Sequence, residues 1–342
     1  MRDLRDYSLL GHNTFGIDVR CRRFVEFESV EEATRLVLSL SPADEPLLVI
    51  GGGSNLLFTR DYEGTVLHSA IKGMAERADI DGEHVFLRCG SGEVFDDVVA
   101  YAVSHGLHGA ENLTAIPGEV GASAVQNIGA YGAEAKDIIY EVEAVEIPTG
   151  KLCAFRTGDC GYGYRESKFK KAWKGRFLVT HVTYRLSRSF RPLLDYGNIR
   201  ESLRRLKIDH PLASQLRSVI QDIRGAKLPD PKVWGNAGSF FVNPVVDEEK
   251  WRSLLERYPD MPYYVVSSGK KKGYKIPAGW MIERCGWKGK DLGPVGVYEK
   301  QALVLVNRGG ATGRDVLRLC ERVRADVRTE FGVEIYPEVN VL

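Results

Sequence analysis

The chain has 342 residues, 44% of them apolar and 27% charged, which supplies enough apolar material for buried cores at an ordinary soluble balance of charge. Its 47 Lys and Arg against 46 Asp and Glu leave a formal net charge of +1, without the basic excess of a nucleic-acid-binding chain. Its apolar runs, Leu47–Ile50 and Ala302–Val306 among them, are short, far from the roughly 18 residues of a membrane helix.

Met1–Leu10 mixes charges of both signs around no apolar core, unlike a secretion signal, so a cytoplasmic chain with no membrane partner is expected. Six cysteines stand at 21, 89, 153, 160, 285 and 320. None forms a CxxC pair, and neither a zinc site nor a disulfide framework fits that spacing. His105 and His108 are close, but Gly106 and Gly109 interleave with them. No metal is expected.

In chain order, Ser29 with Glu32 three residues on predicts a capped helix over 29–40. Leu47–Ile50 reads as a buried strand running into Gly51-Gly52-Gly53. Val66–Leu67 and Val85–Arg88 read as strands, and 93–105 as an amphipathic helix with Val94, Val98, Tyr101 and Ala102 on one face. Residues 113–132 are too irregular for a long element. Ile138–Ile147 and Phe177–Leu186 alternate as strands, with a turn signal at Thr149-Gly150. Helices are predicted over 211–223, 248–258 and 277–285, and the two prolines of Pro229-Asp230-Pro231 suit a domain junction. Leu303–Val306 reads as a strand. Gly313–Phe331 reads as a long helix with Val316, Leu319, Cys320, Val323, Val327 and Phe331 in one stripe, closed by Gly332. A last strand is expected over 334–339. This mixture, without strict alternation, predicts an α+β fold.

Glycine is abundant, 36 residues clustered at 51–53, 118–132, 158–163 and 235–238. Such clusters mark tight turns or close approach to a ligand. LLVIGGGSNLLFT (47–59) follows a strand but lacks the third glycine of a dinucleotide fingerprint and the Gly-Lys-Ser/Thr of a P-loop. It reads either as an anion-binding nest or as a tight turn between strands. AIPGEVGASAVQNIGAYGAE (115–134) has so little side-chain bulk that it packs poorly as core. A large flat ligand or a pyrophosphate against the backbone accounts for it better, a structural glycine-rich turn being the alternative.

These two segments together resemble the FAD-binding domain of vanillyl-alcohol-oxidase-type flavoproteins. NTFGIDVRC (13–21), YGYRESKFK (162–170), LPDPKVWGNAGSFFVNP (228–244), PAGWMIERCGWKG (277–289), QALVLVN (301–307) and YPEVN (336–340) narrow the likeness. Over essentially the whole chain the sequence resembles the UDP-N-acetylenolpyruvoylglucosamine reductase family, and FRPLLDYGNI (190–199) resembles the tyrosine-bearing loop of its long, type I form. GKKKGY (269–274) looks like a short basic insertion, and the chain stops after PEVNVL where some relatives carry a further tail.

The resemblance implies three domains. These are an FAD-binding subdomain at 1–74 joined by residues 339–342, a second at 75–226, and a substrate-binding domain at 227–338. It implies non-covalent FAD and NADPH as hydride-donating co-substrate, although the sequence carries no separate NADPH fingerprint. The implied reaction is reduction of UDP-N-acetylglucosamine enolpyruvate to UDP-N-acetylmuramate in peptidoglycan precursor synthesis, by a chain acting as a monomer. The implied FAD contacts are Gly51, Gly53, Ser54, Asn55 and Leu56, with Pro117, Gly118, Gly121, Ala122, Ser123, Asn127, Gly129, Ala130 and Tyr131.

Hydride addition to the enolpyruvyl methylene pushes charge onto the neighbouring carbon and carboxylate, so the site needs positive charge and then a proton. Arg165, among Gly161-Tyr162-Gly163-Tyr164, suits the first need, since guanidinium stays charged and grips carboxylates. Ser239, in Gly-Asn-Ala-Gly-Ser, matches the family's proton donor. Glu338 matches the acid that helps stabilise the enol. Tyr196, Lys227, Asn243, Tyr264 and Gln301 match substrate-contacting positions. On residue type alone Arg165 also reads as a surface residue of a hairpin, Ser239 as a turn residue and Glu338 as a solvated charge. Two other functions stay open: an FAD-dependent oxidase of the same fold, which would not need the Arg165, Ser239 and Glu338 set, and a silent UDP-sugar-binding protein.

Overall fold

The computed structural model describes residues 1–268 and 271–342; Gly269 and Lys270, which open the basic insertion, lie outside the described residues. The chain forms two compact units from interleaved segments. The first takes Met1–Tyr7, Arg20–Gly53 and Tyr62–Gly225, the second Ser8–Val19, Ser54–Asp61 and Ala226–Leu342.

The first unit holds two sheets. In one, Arg2–Ser8, Arg20–Phe27, Tyr62–Ser69 and Leu47–Ile50 lie side by side in that order, with Arg20–Phe27 and Leu47–Ile50 both parallel to Tyr62–Ser69. The central strand is buried from Gly64 to Ser69, as a strand covered on both faces must be. Helix α1 (Val30–Ser39) starts where the sequence predicts, with the Ser29 side chain accepting from the Glu32 amide. The Glu32 carboxylate reaches the Glu28 amide and the Met1 amino group. Ala33, Leu36 and Val37 of α1 pack with Val25, Phe27, Leu67, Val145 and Leu178 into one core cluster.

The other sheet is antiparallel, in the order Leu152–Arg156, Ile139–Glu146, Phe177–Ser187, His84–Gly90, Met74–Ala78. Helix α2 (Phe95–Ser104) lies on it through Phe95, Val98, Val99 and Ala102. Val94, expected on that face, is instead the residue before the helix and is exposed. The segment expected to be irregular contains a short helix α3 (Val120–Gln126). Its small residues allow this, because a Cβ on Gly121 would stand 3.0 Å from the Ser91 Cβ. Helices α4 (Ile199–Arg205) and α5 (Ala213–Lys227) share a cluster built on Ile199, Leu203, Leu216, Val219 and Ile220.

The second unit contains two three-stranded sheets, one of Val245–Val246, Lys271–Lys275 and Tyr264–Ser268, the other of Asp291–Leu292, Val295–Val297 and Leu305–Asn307. Helices α6 (Glu248–Arg257), α7 (Ala278–Arg284) and α8 (Gly313–Phe331) complete it. All six residues of the predicted α8 stripe are buried. Thr312 and Asp315 cap its start reciprocally, and Gly332 ends it in the left-handed conformation at φ 59°. The last strand is shorter than expected. Only Asn340–Val341 forms a ladder, parallel to Leu56–Leu57. Residues 336–338 meet 240–242 only through two hydrogen bonds that flank a Phe241–Pro337 bridge.

Gly235 is a position where only glycine fits. A Cβ there would run into the carbonyl of Phe15, to which Asn307 also donates at 2.9 Å. Gly235→Ala should cost about 1–3 kcal/mol of stability through overpacking. Urea denaturation followed by tryptophan fluorescence measures this, and an unchanged midpoint would contradict the clash.

Candidate functional site

In the first unit the two glycine-rich segments lie against each other. A Cβ on Gly51 would meet the Ala122 Cβ at 3.1 Å and the Glu119 carboxylate at 3.2 Å; one on Gly52 would stand 3.6 Å from the Gly118 Cα. The absence of side chains lets the two backbones pack closely and form a cradle with peptide groups at its surface, suited to a ligand that lies flat on them. Gly118 is itself at φ 116°. Its carbonyl accepts from Phe95 N at 3.0 Å, and Gly121 N donates to Ser91 O at 2.8 Å.

Two of the expected cofactor residues have their side chains turned inward. The Ser123 hydroxyl is buried, 2.7 Å from Val120 O and 3.0 Å from the Tyr184 hydroxyl. Asn127 ends α3 in the left-handed region and is fully buried. Its amide donates to Glu134 Oε2 at 2.8 Å and Gly163 O at 2.7 Å, and its carbonyl accepts from Lys136 N at 3.0 Å.

That bond to Gly163 fixes the turn carrying Arg165. Gly163 and Glu166 pair across it, and Arg165 sits at φ 56°, an uncommon conformation for a residue with a Cβ. The Arg165 guanidinium donates to Gly129 O at 2.6 Å, and a Cβ on Gly129 would stand 3.3 Å from its Nη1. A second guanidinium, Arg224 of α5, donates to Ala115 O at 3.2 Å. Burial, with repulsion from Arg165 behind it, holds Arg224 below its ordinary pKa, while Tyr131 and Asp96 work the other way. Two cations therefore face one glycine-rich segment, an arrangement suited to an anion. Tyr131 itself is held above its usual pKa by burial, and Tyr196 is exposed on its loop.

In the second unit Ser239 and Glu338 come together. Glu338 N donates to the carbonyl of Phe240, the residue after Ser239, at 2.8 Å. The turn before Ser239 is built by Asn236, which is buried and donates to Trp234 O at 2.9 Å and Pro229 O at 3.3 Å, while its carbonyl accepts from Gly238 N at 3.0 Å. Ser239 is exposed beyond Gly238, at φ 67°. Asn243 accepts from Ala278 N at 2.9 Å, capping α7 and leaving its amide N–H groups to act. Gln301 accepts from Leu303 N at 3.3 Å. Asn55 lies beside the same C-terminal segment, its carbonyl accepting from Asn340 N at 3.1 Å. Tyr264 is exposed, with Lys275 Nζ 5.6 Å from its ring centre. Lys227 is the last residue of α5.

Sequence reasoning passes over Arg224, Asn236 and the pair His68–Glu119. The His68 ring sits between Glu26 at 2.9 Å and Glu119 at 3.1 Å, directly behind Gly51. Nothing in the spacing of 26, 68 and 119 announces that contact; only the acidic residue inside Pro-Gly-Glu-Val-Gly hints at a charge needing a partner. Among the described residues no cluster of His, Cys, Asp and Glu could hold a metal, and no helix is long and apolar enough to cross a membrane.

Glycine segments packed backbone to backbone on an α+β frame suit a flavin-dependent enzyme, and residues 21–156 match the family model described as an FAD binding domain. Residues 230–342 match the model of the UDP-N-acetylenolpyruvoylglucosamine reductase C-terminal domain. The UDP-N-acetylenolpyruvoylglucosamine reductase of Bacteroides fragilis is 53% identical over 98% of this chain and 99% of its own length. That of Porphyromonas gingivalis is 46% identical over 99% of each chain. In fold, the crystal structure of the reductase from Thermus caldophilus covers 99% of this chain and 98% of its own, with a TM-score of 0.66 at 23% identity. The chain belongs to the UDP-N-acetylenolpyruvoylglucosamine reductase family.

Burial opposes protonation of His68, but its bonds to Glu119 and Glu26 prevail and raise its pKa. Its contribution to stability is complete below the unfolded value, about 6.5, and is lost as pH rises through the folded value. The melting temperature should fall as pH is raised from mildly acidic into the alkaline range, and His68→Gln should flatten that slope. A variant retaining the full wild-type slope would assign it to another group.

Proposed function

We propose that this chain reduces UDP-N-acetylglucosamine enolpyruvate to UDP-N-acetylmuramate for peptidoglycan synthesis, using FAD as its redox group and NADPH as hydride donor. The full-length relationship to reductases of that name carries the reading. The cradle over Gly51, Gly52 and Gly118 and the cations Arg165 and Arg224 fit a flat anionic dinucleotide. In the proposal, residues 1–74 and 75–226 hold FAD and residues 227–338 bind the UDP sugar. The setting is the cytoplasm, and the chain acts as a monomer.

When bound, FAD supplies hydride to the enolpyruvyl methylene carbon. Gly51, Gly53, Ser54, Asn55 and Leu56, with Pro117, Gly118, Gly121, Ala122, Gly129, Ala130 and Tyr131, would present backbone groups to it, while Ser123 and Asn127 hold that backbone in shape. Arg165, preset by its bond to Gly129, offers fixed positive charge to the substrate carboxylate as negative charge grows there. Ser239 Oγ gives its proton to the adjacent carbon. Serine is a weak acid, and Glu338, one strand position away, orients the donor and the developing enol. Lys227 meets phosphate, Tyr196 and Tyr264 offer rings and hydroxyls, and the Asn243 and Gln301 side chains offer hydrogen bonds to the UDP sugar.

With Ser239→Ala, NADPH should still bleach the flavin absorbance at a near-normal rate. Return of the colour on adding the enolpyruvyl substrate should slow by roughly 10²–10⁴-fold, the usual share of a general acid. Stopped-flow absorbance separates the halves, and an equal loss in both would move the proton donor elsewhere. Residues 113–132 contain no Cys or His, so acid precipitation should release the yellow colour into the supernatant. Colour retained in the pellet would mean a covalent link.

A further inference from the structure

Asn112 belongs to neither the cofactor nor the substrate set, yet it joins them. It lies in the one-turn segment Glu111–Leu113 and is 3% exposed. Its amide nitrogen donates to Tyr131 O at 2.8 Å and to Leu193 O at 3.0 Å. The first acceptor is in the glycine-rich flavin segment, the second in the 190–199 loop that carries Tyr196. Both hydrogens of one buried NH₂ group are thus shared between the two loops.

The loops also interlock sterically. A Cβ on Gly132 would stand 3.5 Å from the Tyr196 side chain, and one on Gly197 would stand 3.5 Å from the Tyr131 ring. Both glycines are in the left-handed region, at φ 83° and 63°, so each backbone is shaped to admit the other loop's tyrosine. The two rings meet edge to face at 6.5 Å. Tyr131, Phe190 and Leu194 pack on the same cluster of α4 and α5.

We propose that Asn112 is a positioning residue that couples the two loops, so that filling the flavin segment pre-arranges Tyr196 for the UDP moiety. The inference rests on the function proposed above. Without a ligand ordering 129–132, the loop at 190–199 must be ordered by the UDP sugar itself, and the cost weakens binding. By reciprocity, UDP binding must tighten FAD binding by the same factor.

UDP alone serves as the probe, titrated calorimetrically into holoenzyme and into flavin-stripped protein. Wild type should bind UDP more tightly with FAD present. In Asn112→Ala, loss of two hydrogen bonds should weaken UDP binding to the holoenzyme roughly tenfold, and the holo–apo difference should vanish. KM for the enolpyruvyl substrate should rise in step, with kcat little changed and FAD content at the wild-type level. Asn112→Asp keeps the shape but puts an acceptor oxygen where the NH₂ met both carbonyls, and should behave alike if the alanine variant folds poorly. Unchanged UDP affinity and KM in both variants would overturn the coupling. So would parallel loss of FAD, which would make Asn112 a plain support of the flavin segment. Failure of wild-type holoenzyme to bind UDP at all would bring down the proposed function itself, and this inference with it.

Discussion

Much of the first unit's geometry depends on one buried asparagine. Asn127 stops α3 at φ 47° and ψ 60° and joins Gly163, Glu134 and Lys136 through a single side chain. Asparagine is among the few residues besides glycine that accept that conformation readily. The geometry reaches Arg165 in two steps: Asn127 holds Gly163, and the turn after Gly163 aims the guanidinium at Gly129. Ala115, Asn127, Tyr131 and Arg165 are four of the six non-glycine residues with positive φ among the described residues. Each such residue stores about 1–3 kcal/mol, and the surrounding hydrogen bonds keep them in place.

Charge around the cradle is arranged in compensated layers. Arg165 and Arg224 are directed at backbone carbonyls of the glycine-rich segment. Behind Gly51 the Glu119 carboxylate approaches the same backbone, and the His68 ring stands between it and Glu26, Nε2 against Glu119 and Nδ1 against Glu26. Glu26 is in turn bonded to Arg2 at 2.9 Å. The cations are therefore held at fixed positions, the arrangement that needs little reorganisation when charge shifts nearby, and the carboxylate behind the cradle is screened.

Much of this was legible in the sequence where local rules govern. The α8 stripe, the Ser29 cap, Leu47–Ile50 and the α+β class follow from periodicity and capping chemistry that neighbours within a few residues determine. The glycine segments announced a close backbone approach, which Gly52 over Gly118 makes concrete. Long-range partners were not legible. His68 meets Glu26 across 42 residues and Glu119 across 51, and no pattern at such separations encodes which pairs touch. The strand expected over 334–339 is reduced to a single bridge at Pro337, and the ladder forms instead at Asn340–Val341, whose partner Leu56–Leu57 lies far away in the chain. The motif resemblance names Ser239 and Glu338, while the way Asn236 shapes the turn before Ser239 could be seen only in three dimensions.

The parallel pairing of Leu56–Leu57 with Asn340–Val341 has a consequence for the order of assembly. Thr59 bonds to Leu342 across 283 positions, and Gly313 at the start of α8 leaves room for the Phe58 carbonyl. During synthesis, residues 54–61 leave the ribosome long before any of these partners exists. Contacts so distant along the chain are slow to form, and apolar segments awaiting them are open to aggregation. Leu57 and Phe58, both 0% exposed in the finished structure, are thus the residues a nascent-chain chaperone would have longest to cover.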